Sequence, residues 1–428
     1  MISALDGPVA ASAERRVLVV GCGVAATAAA LAASRAGAAV MMLDGGTGAS
    51  TLSTGAVDLL PWEDADRARS GLPADTRGAL QALGGYVLDE GGTRIVTSAG
   101  IVRPAYGRDA ALLNVGPLSG QRIAVVRCRR PGWDADALAP AWGPSFEALD
   151  AVVLRHGGED VLPDADLAAR HDESGRLDWL AHRLREAMSA AGGRWAAVVV
   201  PPLLGAQRAR AHDLSDRVGA RCGEAAGLPG GAPGLRFENA RDRALAASGV
   251  AYARARVRSV HRCLTAWRVI GEQGQSFDGG AVVLATGGFI GGGLEFAPAE
   301  ASLATALPAS ARRAIRLTLD ASVALGAYGR PLEVSRSLFG PSPEAIARPF
   351  ARDALMDRAG ILANEDGSVP GSPGLFAAGD VVADAPRAWL AALASGARAG
   401  TAAARCLGRS LVTESAQSSL DGEPASRP

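Results

Sequence analysis

The feature that most constrains this chain is a glycine turn set between an apolar run and an alanine-rich segment. Arg16-Val17-Leu18-Val19-Val20 runs into Gly21-Cys22-Gly23-Val24-Ala25-Ala26. A short continuous apolar run that ends at glycine has the form of a strand buried on both faces. Val24 to Ala36 is rich in alanine and closes at Gly37, which predicts a helix with its C-terminal signal. Ala38-Ala39-Val40-Met41-Met42-Leu43-Asp44 predicts a second buried strand. Strand, turn, helix and strand within about thirty residues make a βαβ unit, which is almost always right-handed.

In such a unit each small residue has its own duty. Gly21 permits the tight turn, Gly23 lets the backbone approach a pyrophosphate, and Ala26 lets helix and strand pack closely. The helix that follows directs free N–H groups and its positive dipole end at the phosphates. With 54 glycines in 428 residues, about seven G-x-G triplets arise by chance. The flanking strand and helix therefore carry the weight. Asp44 lies 18 residues beyond Ala26 at the end of the second strand, where a carboxylate takes ribose hydroxyls. Its alternative duty is to open the turn Asp44-Gly45-Gly46. The turn and the acid together predict a bound dinucleotide.

Composition narrows the class. Apolar residues form 48% of the chain and aromatics only 4%. That favours alanine-rich helices packed closely on a parallel sheet. Forty-four acidic residues balance forty-four basic ones, so no global field draws the chain to nucleic acid or to an anionic membrane. Every basic residue is arginine; without lysine, Schiff-base and P-loop lysine chemistry are excluded. Cys22, Cys128, Cys222, Cys263 and Cys406 are scattered, with no zinc or iron–sulfur spacing. No metal site is expected. With no secretory apolar segment at the start, a cytoplasmic location is the default. The apolar stretch Trp389–Leu407 carries Arg398 and Arg405 and reads as a packed helix, not a membrane span.

Beyond the first unit, strands are expected at Arg122–Val126, Ala151–Leu154 and Trp195–Val200, with helices at Pro163–Arg170 and Leu177–Ala190 between them. Phe237–Ser248 reads as a helix capped by Gly249. Three β-like runs follow at Ala251–Val260, Ala266–Gly271 and Ala281–Ala285. Residues 1–13 read as a loose terminus.

Three further segments carry chemistry. Gly45–Gly55, of sequence GGTGASTLSTG, begins at the carboxyl end of a sheet strand, where ligands sit in such folds. Its Ser53, Thr54 and Gly55 are candidates to offer hydroxyl and N–H donors to a cofactor. Thr286 and Gly287 end the strand Ala281–Ala285 and bring backbone close to a ligand. Leu375–Ala378 reads as a strand ending in Gly379-Asp380 before a helix. Such a carboxylate suits a flavin's ribityl chain, and the helix N-terminus suits the reduced ring. FAD is the cofactor these segments favour.

The Gly21–Asp44 fingerprint, Ser53-Thr54-Gly55-Ala56-Val57-Asp58-Leu59-Leu60, Leu284–Gly288 and Leu375–Asp380 together resemble the B-type subunit of anaerobic glycerol-3-phosphate dehydrogenase. Pro233-Gly234-Leu235-Arg236, Ala285–Phe289 and Gly291–Leu294 add to the resemblance, which runs from about Arg15 to about Cys406 and is patchy between Pro61 and Trp195. The chain departs from the family after Asp380, where Val381–Trp389 stands in place of a glycine-rich stretch. The resemblance implies a flavoprotein that works with a catalytic A-like flavin subunit and a C-like iron–sulfur subunit. It implies electrons passing from glycerol-3-phosphate towards quinone, and membrane contact only through a partner at the inner face. FMN is the cofactor usually named for this B-type family, whereas the turn and Asp44 favour FAD.

The expected fold is α/β, a discontinuous Rossmann-type FAD-binding domain with an inserted α/β substrate or cap domain. The FAD-binding parts are residues 14–60, 234–293 and 359–408. The inserted parts are 85–233 and 294–358, and a disordered tail covers 409–428. Oxidation of a small anionic substrate needs a base and an anion holder. His212, after the strand end Pro201–Gly205, is the candidate base, and Arg236 the candidate anion holder. A free-standing dehydrogenase or reductase of the fumarate reductase kind and a non-catalytic flavin-bearing assembly protein are the alternatives.

Overall fold

The computed structural model describes residues 15–58, 72–89, 92–264, 266–298, 313–331 and 356–420. Leu59, Leu60, the expected loose terminus and parts of the expected segment 294–358 lie outside the described residues. The first βαβ unit forms as its pattern dictates, with β1 (Arg16–Val20), α1 (Val24–Arg35) and β2 (Ala39–Asp44). Helix α1 is buried from Val24 to Ala33. Ten successive buried positions require small side chains all round the helix, and alanine meets that demand at no cost in helix propensity.

Further helices and two parallel sheets organise the rest. The helices that follow α1 are α2 (Ala74–Leu83), α3 (Ala135–Trp142), α4 (Asp164–Arg170), α5 (Ser174–Ala190), α6 (Ala211–Val218), α7 (Ala232–Ala247) and α8 (Trp389–Leu420). The strands of the parallel sheets, after β2, are β3 (Ile123–Val126), β4 (Phe146–Leu149), β5 (Ala197–Val200), β6 (Arg221–Glu224), β7 (Ala251–Arg254), β8 (Ala281–Leu284) and β9 (Leu375–Ala377).

The first sheet has the order β7-β2-β1-β8-β9 with every pair parallel. Val20 is level with Leu43 on one side and Leu284 on the other. The chain leaves β1 for β2 on one flank and returns to β8 on the other. The carboxyl ends of β1 and β8 therefore form the switch point where ligands of such sheets bind. The second sheet, β6-β5-β3-β4, is also parallel and lies within residues 85–233.

Helices α1 and α8 lie against each other at backbone distance. A Cβ on Gly396 would stand 2.0 Å from the Ala25 carbonyl oxygen, and one on Gly400 would stand 2.1 Å from that of Ala29. Both pairs are spaced by one helical turn, so a small-residue face on each helix meets the other.

Several expectations are corrected. The strand expected at Ala151–Leu154 lies instead at Phe146–Leu149, which pairs with β3. It is an edge strand, and Glu147, paired with Arg122 at 2.7 Å, interrupts the apolar pattern that would mark it. The run Ala251–Val260 splits into β7, which pairs parallel with β2, and a separate strand Val257–Arg262, which pairs antiparallel with Trp267–Gly271. Helix α7 starts at Ala232 rather than Phe237, with Pro233 in the first turn, where its missing N–H costs nothing. Helix α8 continues to Leu420, so the tail expected to be disordered from residue 409 is helical that far.

The α1–α8 contact yields a direct test. Gly400→Val should cost about 3 kcal/mol or more by forcing backbone apart. Gly175→Ala, in α5 with open space around it, should be neutral or stabilising by about 0.5–1 kcal/mol. Urea unfolding of the two variants separates close packing from glycine entropy.

Candidate functional site

The site is built where β1 ends. Gly21 has φ +123°, and a Cβ there would stand 2.2 Å from the Ala285 carbonyl oxygen. Its N–H donates to the Leu43 carbonyl at 2.9 Å, while the Ala285 N–H donates to Val20 at 2.9 Å. The turn is thus stitched to both neighbouring strands. The first backbone bond of α1 runs from the Thr27 N–H to the Gly23 carbonyl at 2.9 Å. The N–H of Ala25 is left without a helical partner, and Ala25 lines a cavity of about 380 Å³. The Val24 N–H is held by the Ser50 hydroxyl at 2.9 Å.

That cavity runs from Gly45, Gly46 and Arg256 at one end to Thr286, Gly287 and Asp380 at the other, with Gly21 and Gly23 between them. Asp44 lies between Leu43 and Gly45, which line the cavity, without lining it itself. Its carboxylate accepts from the Gly46 N–H at 2.7 Å and from the Tyr252 hydroxyl. Burial alone would raise its pKa, but the Tyr252, Cys22 and Gly46 donors outweigh burial and hold it below the usual carboxylate range. Asp44 therefore stays an anion able to accept from ribose hydroxyls. The Cys22 thiol donates to the Gly46 carbonyl at 2.7 Å, and burial first, with the Asp44 carboxylate, pushes its pKa up to about 12. It is a packing group, not a nucleophile. Beneath the turn, the Arg241 guanidinium from α7 donates to the Cys22 carbonyl at 3.2 Å.

At the other end β9 leads through Ala378, whose N–H donates to Leu284 at 2.9 Å, into Gly379 and Asp380. The Gly379 N–H donates to Ser395 at 3.1 Å. The Arg387 guanidinium gathers the Asp380, Val382 and Ala359 carbonyls and fixes the turn that presents Asp380. Burial raises the Asp380 pKa, with Arg387 opposing it. Ala26, fully buried, packs within α1 and does not line the cavity.

The glycine-rich loop divides in two. Its first half, Gly45 to Ser50, lines the cavity. Ser53, Thr54 and Gly55 do not. The Ser53 hydroxyl accepts from the Gly55 N–H at 3.1 Å, and the Gly55 carbonyl accepts from the Asp109 N–H at 2.7 Å. This half packs against Asp109, away from the cavity lining.

Neither catalytic candidate lines the cavity. The His212 side chain is 86% exposed on α6 and pairs with Asp216 at 3.1 Å. No histidine lines the cavity among the described residues. Arg236 is 4% exposed and lies between two carboxylates, Asp109 at 2.8 Å and Glu224 at 2.7 Å, and it also donates to the Gly205 carbonyl at 2.7 Å. Burial opposes its charge, but the two carboxylates outweigh burial and raise its pKa. Its donors are spent, so it holds the fold rather than a substrate. Ser50, Arg256, Arg241 and Tyr252 are site residues that local sequence patterns do not mark. Arg256 follows the end of a parallel strand, and that position is the one signal that could have found it; the others are set by contacts distant in sequence.

No protein-family model matches the chain, and no curated protein matches it. Among solved structures it is similar to a thioredoxin reductase from Gloeobacter violaceus, at 13% identity over 96% of this chain and 98% of that one, with a TM-score of 0.34. It is similar to 3-ketosteroid delta1-dehydrogenase from Sterolibacterium denitrificans, at 13% over 92% and 100%, TM-score 0.35. It is also similar to iminodiacetate oxidase from Chelativorans sp. BNC1, at 16% over 96% and 97%, TM-score 0.30. Likeness at this level assigns neither site nor substrate; the strand order and the glycine turn describe the site on their own.

Two outcomes follow from the charges. Arg236→Met should destabilise the protein by about 3–5 kcal/mol by leaving two buried carboxylates uncompensated. A substrate-binding arginine would instead leave unfolding in urea unchanged. Because the Asp380 pKa is raised, the folded chain keeps that proton to higher pH than the unfolded chain. Its contribution to stability is therefore present at low pH and lost as pH rises through the raised value. The cofactor-free Asp380→Asn variant should melt higher than the parent at neutral pH, and the gap should close below about pH 4.

Proposed function

We propose that this protein is a flavin-dependent oxidoreductase that holds FAD in the cavity at the end of β1. The observation that carries the reading is one cavity lined by the Gly21–Gly23 turn and the N-terminus of α1, with Asp380 in its lining at one end and Asp44 next to Leu43 and Gly45, which line the other. An elongated cofactor with a central pyrophosphate matches that order. Asp44 would take the adenosine ribose, the Ala25 N–H and the helix dipole the pyrophosphate, and Asp380 the ribityl chain. A mononucleotide would leave the end of the cavity beside Asp44 unfilled, which favours FAD over FMN. A bound flavin would supply the electron-accepting ring. The chain's own residues bind and orient it, and Arg387 keeps the Asp380 turn in place.

Within that class we propose a role like the B-type subunit of anaerobic glycerol-3-phosphate dehydrogenase, passing electrons towards quinone through A-like and C-like partners. The absence of a histidine along the cavity, among the described residues, supports an electron carrier over an enzyme that oxidises an alcohol by itself. No helix of the described residues is long and apolar enough to cross a membrane. Contact with a quinone pool would then come through a partner.

The purified protein should be yellow and release FAD on denaturation. Asp44→Ala should weaken FAD binding by about 1.5–3 kcal/mol, read by flavin fluorescence titration. A colourless protein that takes up no added flavin contradicts the flavin reading; release of FMN alone contradicts the dinucleotide site. The isolated chain should show little glycerol-3-phosphate:quinone activity, and co-expression with both partner proteins should restore it. Brisk turnover by the chain alone would favour a free-standing dehydrogenase.

A further inference from the structure

A second cavity among the described residues lies elsewhere. It has a volume of about 1020 Å³ and shares no lining residue with the cavity at the glycine turn. It opens between the hairpin of strands Thr93–Val96 and Val102–Ala105 and the segment from the end of α3 to β4. Its walls are mixed, with an apolar and aromatic part beside charged and hydroxyl side chains. Trp142 and Phe146 meet edge to face at 5.5 Å, and Leu118 and Ile123 are buried behind them.

The charges around it are unequal in kind. Asp89 is engaged, accepting from the Thr93 hydroxyl at 2.7 Å and from Arg108 at 3.0 Å. Arg77 donates to the Leu72 carbonyl at 3.3 Å. Arg94 alone of the charged lining residues has no partner for its side chain among the described residues. Its backbone, by contrast, is pinned. Its N–H donates to the Asn114 side chain at 3.0 Å, and its carbonyl accepts from Val115 at 2.8 Å. The buried Asn114 also takes the Gly116 N–H at 3.0 Å. A fixed backbone thus delivers an unspent guanidinium to the rim of a cavity with an apolar, aromatic part to its wall.

We propose that this cavity binds an amphipathic anion, an aromatic or alicyclic carboxylate, with Arg94 as its charge partner. A guanidinium binds a carboxylate in two parallel bonds, which fixes orientation as well as charge. The apolar part of the wall takes the ligand's body. The volume stands at the upper end of the range for small-molecule sites, about 300–1,000 Å³, so a three-carbon acid would leave most of it empty. The site does not depend on the flavin reading.

The test titrates 2-naphthoate, and its uncharged counterpart 2-naphthamide, onto the full-length protein by calorimetry and tryptophan fluorescence. Naphthoate should bind at least tenfold more tightly. Arg94→Met should erase that preference with an unchanged melting temperature, because the exposed side chain has no partner to lose. Val102→Trp, which narrows the cavity without removing Arg94, should weaken both ligands at least tenfold. Saturating FAD should change neither affinity. The proposal is overturned by absence of binding, by equal affinity for the two compounds, by a preference that survives in Arg94→Met, by indifference to Val102→Trp, or by competition with FAD.

Discussion

Everything at the proposed cofactor site depends on how closely the backbone at the end of β1 approaches the end of β8. The carbonyl of Ala285 occupies the space a side chain at residue 21 would need. That contact brings the two strand ends together, and their junction is where the sheet reverses its direction of growth. Once the strand ends close in this way, the N-terminus of α1 and the Asp380 turn face one cavity, and Asp44 flanks it between Leu43 and Gly45. Helix α8 reinforces the arrangement from behind, because Gly396 and Gly400 let it lie on the carbonyls of α1. A helix held that firmly keeps its dipole aimed at one point, which is what anion binding at a helix end requires.

The inserted region is fastened by charge rather than by small residues. Arg236 on α7 reaches Asp109 and Glu224, and Asp109 in turn donates its N–H to the Gly55 carbonyl. The segments around Gly55 and Pro233–Arg236, far apart in sequence, therefore meet across one buried cluster. One guanidinium there offsets two buried carboxylates, and losing it would leave both uncompensated.

Local patterns were legible in the sequence, and distant partnerships were not. The βαβ unit could be read because its signals, an apolar run, two glycines and an alanine-rich helix, lie within one stretch of chain. The strand ends at Thr286 and Gly379 were legible for the same reason. Ser50 as the partner of the Val24 N–H was not, since that bond spans the whole of α1 and β2. Arg236 had the chemistry of an anion holder, but its carboxylates come from segments 127 and 12 residues away. Strand β4 escaped because an edge strand paired through Arg122 and Glu147 has no continuous apolar run to show.

The central claim is that one elongated cofactor spans the cavity from Asp44 to Asp380. A crystal structure of the protein with FAD tests it most directly. The account predicts the adenosine ribose hydroxyls within about 3.2 Å of the Asp44 carboxylate, the pyrophosphate at the N-terminus of α1, and the ribityl chain beside Asp380. FAD bound in the opposite direction, or bound away from the Gly21–Gly23 turn, would contradict it.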